Sequence, residues 1–298
     1  MDWQARLQEY LAPRTAQVNA ALERYLSESP PLPRVLPDAM RYAALTPGKR
    51  LRPILCIAAA ESLGGTAEQV MPTACALELI HAFSLVHDDL PAMDNDRLRR
   101  GQPTVWVKYG EAMAILAGDA LFAKAFELLA EQARLSPPER VVQVIELVAQ
   151  ASGVQGMCGG QVEDILCEAQ TVSAEQLRFI HTHKTGALIR ASVLAGALLM
   201  GADKPTRDAL DAYSRALGLA FQIADDLLDE TESIEQMGKP AGSDRAHGKA
   251  TYPALFGIDA ARAHAQHAMQ EAIDALQPFD TRADPLRWLA TFAVERRQ

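Results

Sequence analysis

The sequence has few cysteines, lysines and aromatic residues, and each shortage excludes a class of protein. Its 298 residues include four cysteines and no CxxC pair, which argues against a disulfide-rich secreted scaffold and against a zinc site. Twenty-nine Lys and Arg residues face 38 Asp and Glu residues, a net charge of −9. That charge argues against nucleic acid as a partner. Aromatic residues make up 6% of the chain, so the core must be mainly aliphatic.

Targeting and nucleotide-binding motifs are also missing. The start of the sequence lacks the basic and apolar segments of a signal peptide. The most apolar run, residues 191–202, is shorter than the roughly twenty residues of a membrane span and predicts a buried helix. Neither GxxxxGK[ST] nor GxGxxG occurs, so a nucleotide is not indicated. We expect a cytoplasmic protein without membrane insertion.

Apolar residues recur at helical spacing almost throughout. This periodicity predicts an all-α fold of about ten or more helices. Thr66 followed by Gln69 predicts a capping box at a helix start, and Ser136 before two prolines predicts another start. No linker or repeat divides the chain, so we expect a single domain over residues 1–298.

Two acidic clusters follow long apolar stretches: HDDLPAMDND at residues 87–96 and FQIADDLLDE at residues 221–230. Carboxylates crowded in this way repel one another unless cations compensate them. Carboxylate oxygens suit Mg²⁺, which typically takes one or two carboxylates together with substrate phosphates. The clusters therefore predict two halves of a magnesium site.

Helical geometry makes each cluster converge. A helix turns by about 100° per residue, which places three residues of the second cluster on one face and a fourth close beside them: Gln222, Asp226, Asp229 and Asp225. In the first cluster, Pro91 interrupts the helical hydrogen bonds. The interruption lets Asp94 swing back toward Asp88.

Cations near these clusters indicate the ligand. Four of the seven lysines lie beside Gly or Thr: Lys49, Lys184, Lys239 and Lys249. Arg99 and Arg100 follow the first acidic cluster directly. A diphosphate held between Mg²⁺ and Lys or Arg side chains fits this pattern.

An ordered set of motifs resembles the trans-isoprenyl diphosphate synthases, and most closely the bacterial farnesyl and geranyl diphosphate synthases. The motifs are GKRLRP (48–53), DDxxxxD (88–94), LRRG (98–101), GGQxxD (159–164), HKTGALIR (183–190) and FQxxDDxxD (221–229). The likeness extends from about Pro47 to the C-terminus, and a complete set in this order is far more specific than a single DDxxD.

The resemblance implies the isoprenoid synthase fold, with helices around a central cavity, and a homodimer. It also implies head-to-tail condensation, in which an allylic diphosphate loses diphosphate and C4 of isopentenyl diphosphate attacks the allylic carbon. Loss of a proton from C2 to the released diphosphate completes the reaction.

The resemblance implies a role for each matching residue. About three Mg²⁺ would bridge the allylic diphosphate, held by Asp88, Asp94 and Asp225 with support from Asp89 and Asp229. The allylic diphosphate would be bound by Arg99, Lys184 and Lys249, and Lys239 would also bind substrate. Isopentenyl diphosphate would be bound by Lys49, Arg52, His81 and Arg100. The allylic cation would be faced by the carbonyl groups of Gln222 and Thr185 and by the ring of Phe221.

Product length depends on the helix below the first motif. Ser84 and Phe83 precede Asp88 by four and five residues and lie about one turn deeper. In the family, an aromatic residue at this place goes with short products. Phe83 therefore predicts farnesyl diphosphate (C15), with geranyl or geranylgeranyl diphosphate as the alternatives.

Two positions depart from the family pattern. Pro47 replaces the first glycine of GGKR, and Arg97 stands where an aspartate is common. We expect modest effects of Arg97, because that aspartate is not a principal metal ligand. The C-terminal segment from Glu295 to Arg297 could close over the isopentenyl diphosphate site or remain a solvated tail.

Three other functions remain open on the sequence. A terpene cyclase shares the fold but carries a different second metal motif and lacks GKRLRP. An HD-type phosphohydrolase fits the pair His87-Asp88, but it needs further metal ligands. A non-catalytic partner subunit would lose an aspartate motif, and here both are present.

Overall fold

The computed structural model describes residues 2–27, 33–168, 170, 172–231 and 250–295, and these residues are predominantly helical. The α-helices in chain order are α1 (Trp3–Tyr25), α2 (Val35–Leu45), α3 (Leu51–Ser62), α4 (Ala67–Asp88), α5 (Val105–Tyr109), α6 (Glu111–Glu131), α7 (Pro138–Ser152), α8 (Met157–Cys167), α9 (Ala174–Ile180), α10 (Gly186–Leu199), α11 (Lys204–Thr231), α12 (Tyr252–Phe256), α13 (Ile258–Ala275) and α14 (Asp284–Glu295). The predicted all-α class is confirmed.

Both predicted helix starts are present. The Gln69 side chain accepts a hydrogen bond from the backbone N–H of Thr66 at 2.9 Å, which completes the capping box of α4. Helix α7 begins at Pro138, where the fixed φ of proline suits the first turn and its missing N–H costs nothing.

A short hairpin, which the helical periodicity did not predict, follows α4. Its strands β1 (Leu98–Arg99) and β2 (Gln102–Pro103) pair antiparallel. Arg100 and Gly101 form the turn with φ of 53° and 73°. Positive φ at both central residues is the requirement of a type I′ turn, the turn that matches the twist of paired strands.

The core is built around α4, which packs against α3 on one side and α6 on the other. Helix α10 packs against α3, α7 and α11, and α11 packs along α13. Close approach between α3 and α10 depends on Gly196, where a Cβ atom would lie 2.3 Å from the carbonyl oxygen of Cys56. Small residues therefore bring the motif-bearing helices together.

Between α9 and α10 the chain forms a π-helix over residues 181–185. The backbone N–H of Gly186 donates to the carbonyl oxygen of His181, five residues earlier. Such π turns commonly occur at functional sites, and this one carries Lys184 and Thr185.

Among the residues that the structure describes, two helical stretches are long and apolar enough to cross a membrane by length and composition alone. They are α4 and residues 138–167, which comprise α7, α8 and the turn between them. The apolar window of α4 is 72% buried inside the structure, as expected for a core helix, and buried core helices often satisfy this test.

Candidate active site

A cavity of about 1020 Å³ gathers the residues expected to bind isopentenyl diphosphate. Four predicted side chains line it: Lys49, Arg52, His81 and Arg100. Asp225 and Phe221 line the same cavity, so one edge of the second acidic cluster adjoins these cations. The juxtaposition that the motifs suggested is present.

The loop before α3 is fixed by a buried ion pair. Arg50 adopts a left-handed backbone conformation with φ of 50°. Its Nη1 lies 2.7 Å from Glu78 Oε1, and its Nε donates to Asn19 Oδ1 at 2.9 Å. The Arg50 and Glu78 side chains are only 3% and 5% exposed. This pair ties α1, α3 and α4 together and holds the adjacent Lys49 and Arg52 at the cavity.

Arg100 reaches the same loop from the hairpin. Its Nη1 donates to the carbonyl oxygen of Pro47 at 2.9 Å. A Cβ atom on Gly48 would lie 2.3 Å from that guanidinium nitrogen, so the glycine provides the space. Pro47, which departs from the family pattern, thus supplies a backbone acceptor that any residue could supply.

Burial and, after it, nearby charges set the protonation of the groups in the cavity. Burial, together with the nearby Arg52 and Arg100, holds the pKa of His81 well below its usual range. The imidazole is therefore neutral at pH 7. Burial lowers the pKa of Arg52 to about 10, while Glu78 acts in the opposite direction. Arg52 Nε is buried without a hydrogen-bond partner among the described residues, as expected for a donor that serves a ligand.

The first acidic cluster folds back on itself as predicted. Helix α4 ends at Asp88, and Pro91 lies in the turn that follows. The backbone N–H of Asp94 donates to the carbonyl oxygen of Asp88 at 2.8 Å. Asn95, with φ of 54°, completes the reversal. The helix stops at Asp88 rather than bending through the cluster.

Asp89 and Arg99 form a buried ion pair. Arg99 Nε donates to Asp89 Oδ1 at 2.8 Å, and Arg99 Nη2 lies 2.6 Å from the same oxygen. The Asp89 side chain is 4% exposed. The expected roles of Asp89 with the metal and of Arg99 with the diphosphate remain predictions, because here each group engages the other.

Asp225 and Asp226, adjacent residues of the second acidic cluster on α11, have different surroundings. Asp225 lines the cavity, whereas Asp226 is buried and accepts a hydrogen bond from the backbone N–H of Tyr252 at 2.9 Å. His181 Nε2 lies 3.5 Å from the same carboxylate. Burial lowers the pKa of His181 to about 4. Asp229 is also buried.

Lys184 is held by the GGQxxD motif. Its Nζ lies 2.6 Å from Asp164 Oδ2. A Cβ atom on Gly160 would lie 2.2 Å from the backbone nitrogen of Lys184, so only glycine permits this approach of α8 to the π-helix. Thr185 completes the π-helix, and the side chain of Gln222 on α11 is half-buried.

An aromatic cluster surrounds Phe83. Its ring centroid lies 5.1 Å from that of His87 and 5.0 Å from that of Phe122, which in turn lies 5.1 Å from Phe126. Ser84 hydrogen-bonds the carbonyl oxygen of His81 at 2.9 Å. The placement suits a floor formed by Phe83, although its effect on product length remains a prediction.

Some residues singled out in the sequence make other contacts or lie outside the described residues. The guanidinium carbon of Arg97, which directly precedes β1, lies 5.2 Å from the centre of the Trp106 ring on α5. His87 Nε2 is 3.0 Å from the carbonyl oxygen of Ile115, an arrangement that satisfies the ring without a metal. Lys239, Lys249, Arg296 and Arg297 lie outside the described residues.

The carboxylates suit Mg²⁺ that arrives with a substrate. Within the described parts of the chain, no three His, Cys, Asp or Glu side chains are gathered closely enough to hold a metal ion unaided. Mg²⁺ usually takes only one or two carboxylates and completes its shell with substrate phosphates and water. Asp88 and Asp94 at the first turn and Asp225 at the cavity fit this chemistry.

Three residues of the site were not predicted: Glu78, Asp164 and Tyr252. Glu78 is an acidic residue inside an apolar helix and three residues before His81, which is a usable signal. Asp164 lay inside a recognised motif without an assigned partner. The Tyr252 contact is made by the backbone, so no side-chain pattern reveals it.

Comparison with known proteins identifies the family of this chain. The chain matches the polyprenyl synthetase family over residues 33–284. It belongs to this family. It is 48% identical to a dimethylallyltranstransferase of Fischerella ambigua over 97% of this chain and 84% of the relative. It is also 48% identical to a geranylgeranyl diphosphate synthase of Cyanophora paradoxa over 89% of this chain and 88% of the relative.

A solved structure supports the fold assignment. The apo structure of a farnesyl/geranylfarnesyl diphosphate synthase from Zymomonas mobilis superposes with a TM-score of 0.86 at 39% identity, covering 98% of each chain. The isoprenoid synthase fold is thereby confirmed. The chain is a prenyltransferase that uses isoprenyl diphosphates, and the relatives differ in product length.

Proposed function

We propose that this prenyltransferase condenses isopentenyl diphosphate with dimethylallyl or geranyl diphosphate, depends on Mg²⁺, and releases farnesyl diphosphate. The observation that carries the proposal is the position of Phe83, one turn of α4 below Asp88, with Phe122 behind it. A chain growing from the diphosphate site along α4 meets this pair of rings. Longer products would need the rings to move.

The cations of the cavity and the aspartates of the two acidic clusters have different roles in the proposal. Lys49, Arg52 and Arg100 attract the diphosphate of isopentenyl diphosphate, and neutral His81 supplies a hydrogen bond without adding charge. Asp88, Asp94 and Asp225 would hold Mg²⁺, which offsets the negative charge that develops on the leaving diphosphate.

Lys184 and Thr185 face the allylic end of the reaction. Asp164 holds the Lys184 ammonium group in place at 2.6 Å, ready to exchange this partner for a diphosphate oxygen. The carbonyl groups of Thr185 and Gln222 orient dipoles toward the developing allylic cation. The departing diphosphate accepts the proton from C2, so none of these side chains needs to act as a base.

A product assay tests the proposal. The purified protein is incubated with Mg²⁺, isopentenyl diphosphate and either dimethylallyl or geranyl diphosphate, and the dephosphorylated products are separated by chromatography. We expect farnesol as the main product from both primers. Failure to condense either primer would refute prenyl transfer, and a dominant geranylgeraniol peak would refute the farnesyl assignment.

A geranylgeranyl product is the second candidate. The 48% identity to the geranylgeranyl diphosphate synthase of Cyanophora paradoxa favours it. The same assay separates the two products directly, and a time course shows whether farnesyl diphosphate accumulates or is extended.

The proposed working form is a cytoplasmic homodimer. Exposed apolar side chains on α6 and α8 support a second copy as the partner: Ile115, Leu116, Val162 and Leu166. Sedimentation velocity tests this, and a monomer at micromolar concentration would contradict it.

A further inference from the structure

Asp226 lies next to Asp225 in the second acidic cluster but contacts α12 and the π-helix, whereas Asp225 lines the cavity. Its carboxylate accepts the backbone N–H of Tyr252 at 2.9 Å and lies 3.5 Å from His181 Nε2. The whole residue is 5% exposed. One side chain thus joins α11, the π-helix and the first turn of α12.

The Tyr252 contact satisfies a donor that the helix leaves open. Tyr252 is the first residue of α12, and the first N–H groups of a helix have no intrahelical acceptor. The Thr251 side chain accepts the N–H of Ala254, which leaves the Tyr252 N–H to Asp226. A buried donor without an acceptor is costly, so this bond anchors the start of α12.

His181 contacts both Asp226 and Tyr252. Its ring stacks on the ring of Tyr252 with centroids 5.4 Å apart. His181 is also the first residue of the π-helix whose later members are Lys184 and Thr185. The three groups therefore form one buried unit between α11 and two segments of the proposed active site.

The rotation of α11 is what this unit controls. Adjacent residues of a helix point about 100° apart, so burying Asp226 against Tyr252 and His181 directs Asp225 into the cavity. The geometry points to Asp226 as a positioning residue that holds α11, the π-helix and α12 in register and does not itself bind metal. This inference rests on the proposed Mg²⁺-dependent prenyl transfer.

Three variants separate positioning from metal binding. D226N keeps an oxygen that can accept the Tyr252 N–H but removes the charge that a metal ligand needs. D226A removes both the acceptor and the charge. D225N is the matched control, because the same substitution falls one residue earlier, on the cavity face.

Two measurements are made on each variant. Hydrogen exchange of the peptide 250–257 in the protein without Mg²⁺ or substrate reports the anchor directly. The Mg²⁺ concentration for half-maximal activity and kcat report the metal site. The exchange measurement depends on no product being formed.

If Asp226 is a positioning residue, substitutions at Asp226 and at Asp225 should have opposite effects on hydrogen exchange and on the Mg²⁺ requirement. D226N should exchange like the wild type and keep its half-saturating Mg²⁺ concentration within about two-fold, whereas D226A should exchange faster and lose about 10- to 100-fold in kcat. D225N should exchange normally but lose at least about 100-fold in kcat and require more Mg²⁺.

Two outcomes would overturn the inference. An increase in the Mg²⁺ requirement of D226N as large as that of D225N would make Asp226 a metal ligand. Unchanged exchange in D226A would show that it anchors nothing. If the wild type formed no prenyl product, the proposed function would fail, while the exchange data would still decide whether the anchor exists.

Discussion

Single residues in the cavity owe their charge states to burial and to their neighbours. His81 stays neutral because it is buried among arginines. Glu78 is the carboxylate that offsets Arg50 directly and lies in the same cavity as Arg52 and Arg100. Glu78 compensates only part of the positive charge in the cavity. A bound anion would compensate the rest.

The neutral His81 makes stability depend on pH. The pKa of His81 in the folded protein lies well below its value of about 6.5 in the unfolded chain. Below pH 6.5 the unfolded chain therefore binds a proton at His81 that the folded protein does not bind. The free energy of unfolding is highest above about pH 6.5 and falls by as much as about 1.4 kcal/mol per pH unit below it. Urea unfolding of His81→Asn, which cannot titrate, should show a smaller loss over this range.

The control for that experiment is His267→Asn. His267 is exposed on α13 beside Glu271, remote from the arginines around His81. Equal pH dependence of all three proteins would mean that His81 takes up its proton in the folded state.

Phe83 gives a second prediction at this scale. Replacing it with alanine opens the space between α4 and Phe122, so products longer than farnesyl diphosphate should accumulate. Chromatography of the dephosphorylated products measures the change. Phe179→Ala is the control, because that ring is exposed and stacks on His183. An unchanged C15 product from Phe83→Ala would show that Phe83 is an ordinary packing residue.

At the scale of elements, α8 approaches the π-helix closely at Gly160. Gly160→Ala places a methyl group 2.2 Å from the Lys184 backbone nitrogen in the present geometry. Because backbone must move, we expect a loss of about 1–3 kcal/mol in unfolding free energy and a larger relative loss in kcat. Denaturant unfolding and steady-state kinetics check both.

Ile165→Ala serves as the comparison for Gly160→Ala. Ile165 is an exposed residue on the same helix, so its truncation tests α8 without disturbing the contact. If Gly160→Ala retained wild-type kcat, the position of the π-helix would not limit the reaction.

Elements with strong local signals were predictable from the sequence, and long-range pairings were not. The capping box of Thr66 and the prolines before α7 are local and were found. The π-helix depends on how His181 packs against Asp226 and Tyr252, a contact between distant segments. The Arg99 ion pair with Asp89 was likewise hidden, because both residues belonged to motifs with other expected roles.

Face assignment shows the same limit. The spacing of Asp226 and Asp229 predicts that they lie near one face of α11, but spacing alone does not say which face meets the cavity. The structure gives that face to Asp225. A helical wheel shows only the residues of one helix. It therefore cannot show the hydrogen bond from the backbone of Tyr252, which lies 26 residues further along the chain than Asp226.

For the molecule as a whole, the net charge of −9 is opposite to what two diphosphate substrates need. Asp225 lines the same cavity as Lys49, Arg52 and Arg100, so a bound anion and Mg²⁺ should stabilise each other. We predict that Mg²⁺ and inorganic diphosphate together raise the thermal unfolding midpoint more than the sum of their separate effects.

Thermal unfolding with each component alone and with both measures this coupling. Asp225→Asn should reduce the joint effect while leaving the shift from diphosphate alone largely intact. An additive result in the wild type would contradict the shared site, as would full stabilisation by Mg²⁺ alone.

The π-helix also has a consequence for how this chain can change in length. A π turn contains one residue more than the α turn it replaces, since its hydrogen bond runs from residue 186 to residue 181. Deleting one residue between 181 and 185 would restore an α-helical ladder and rotate Lys184 and Thr185 by about 100° relative to α10. Insertions and deletions should therefore be tolerated at the loops of this molecule and rejected here, even though this segment reads as a continuous helix.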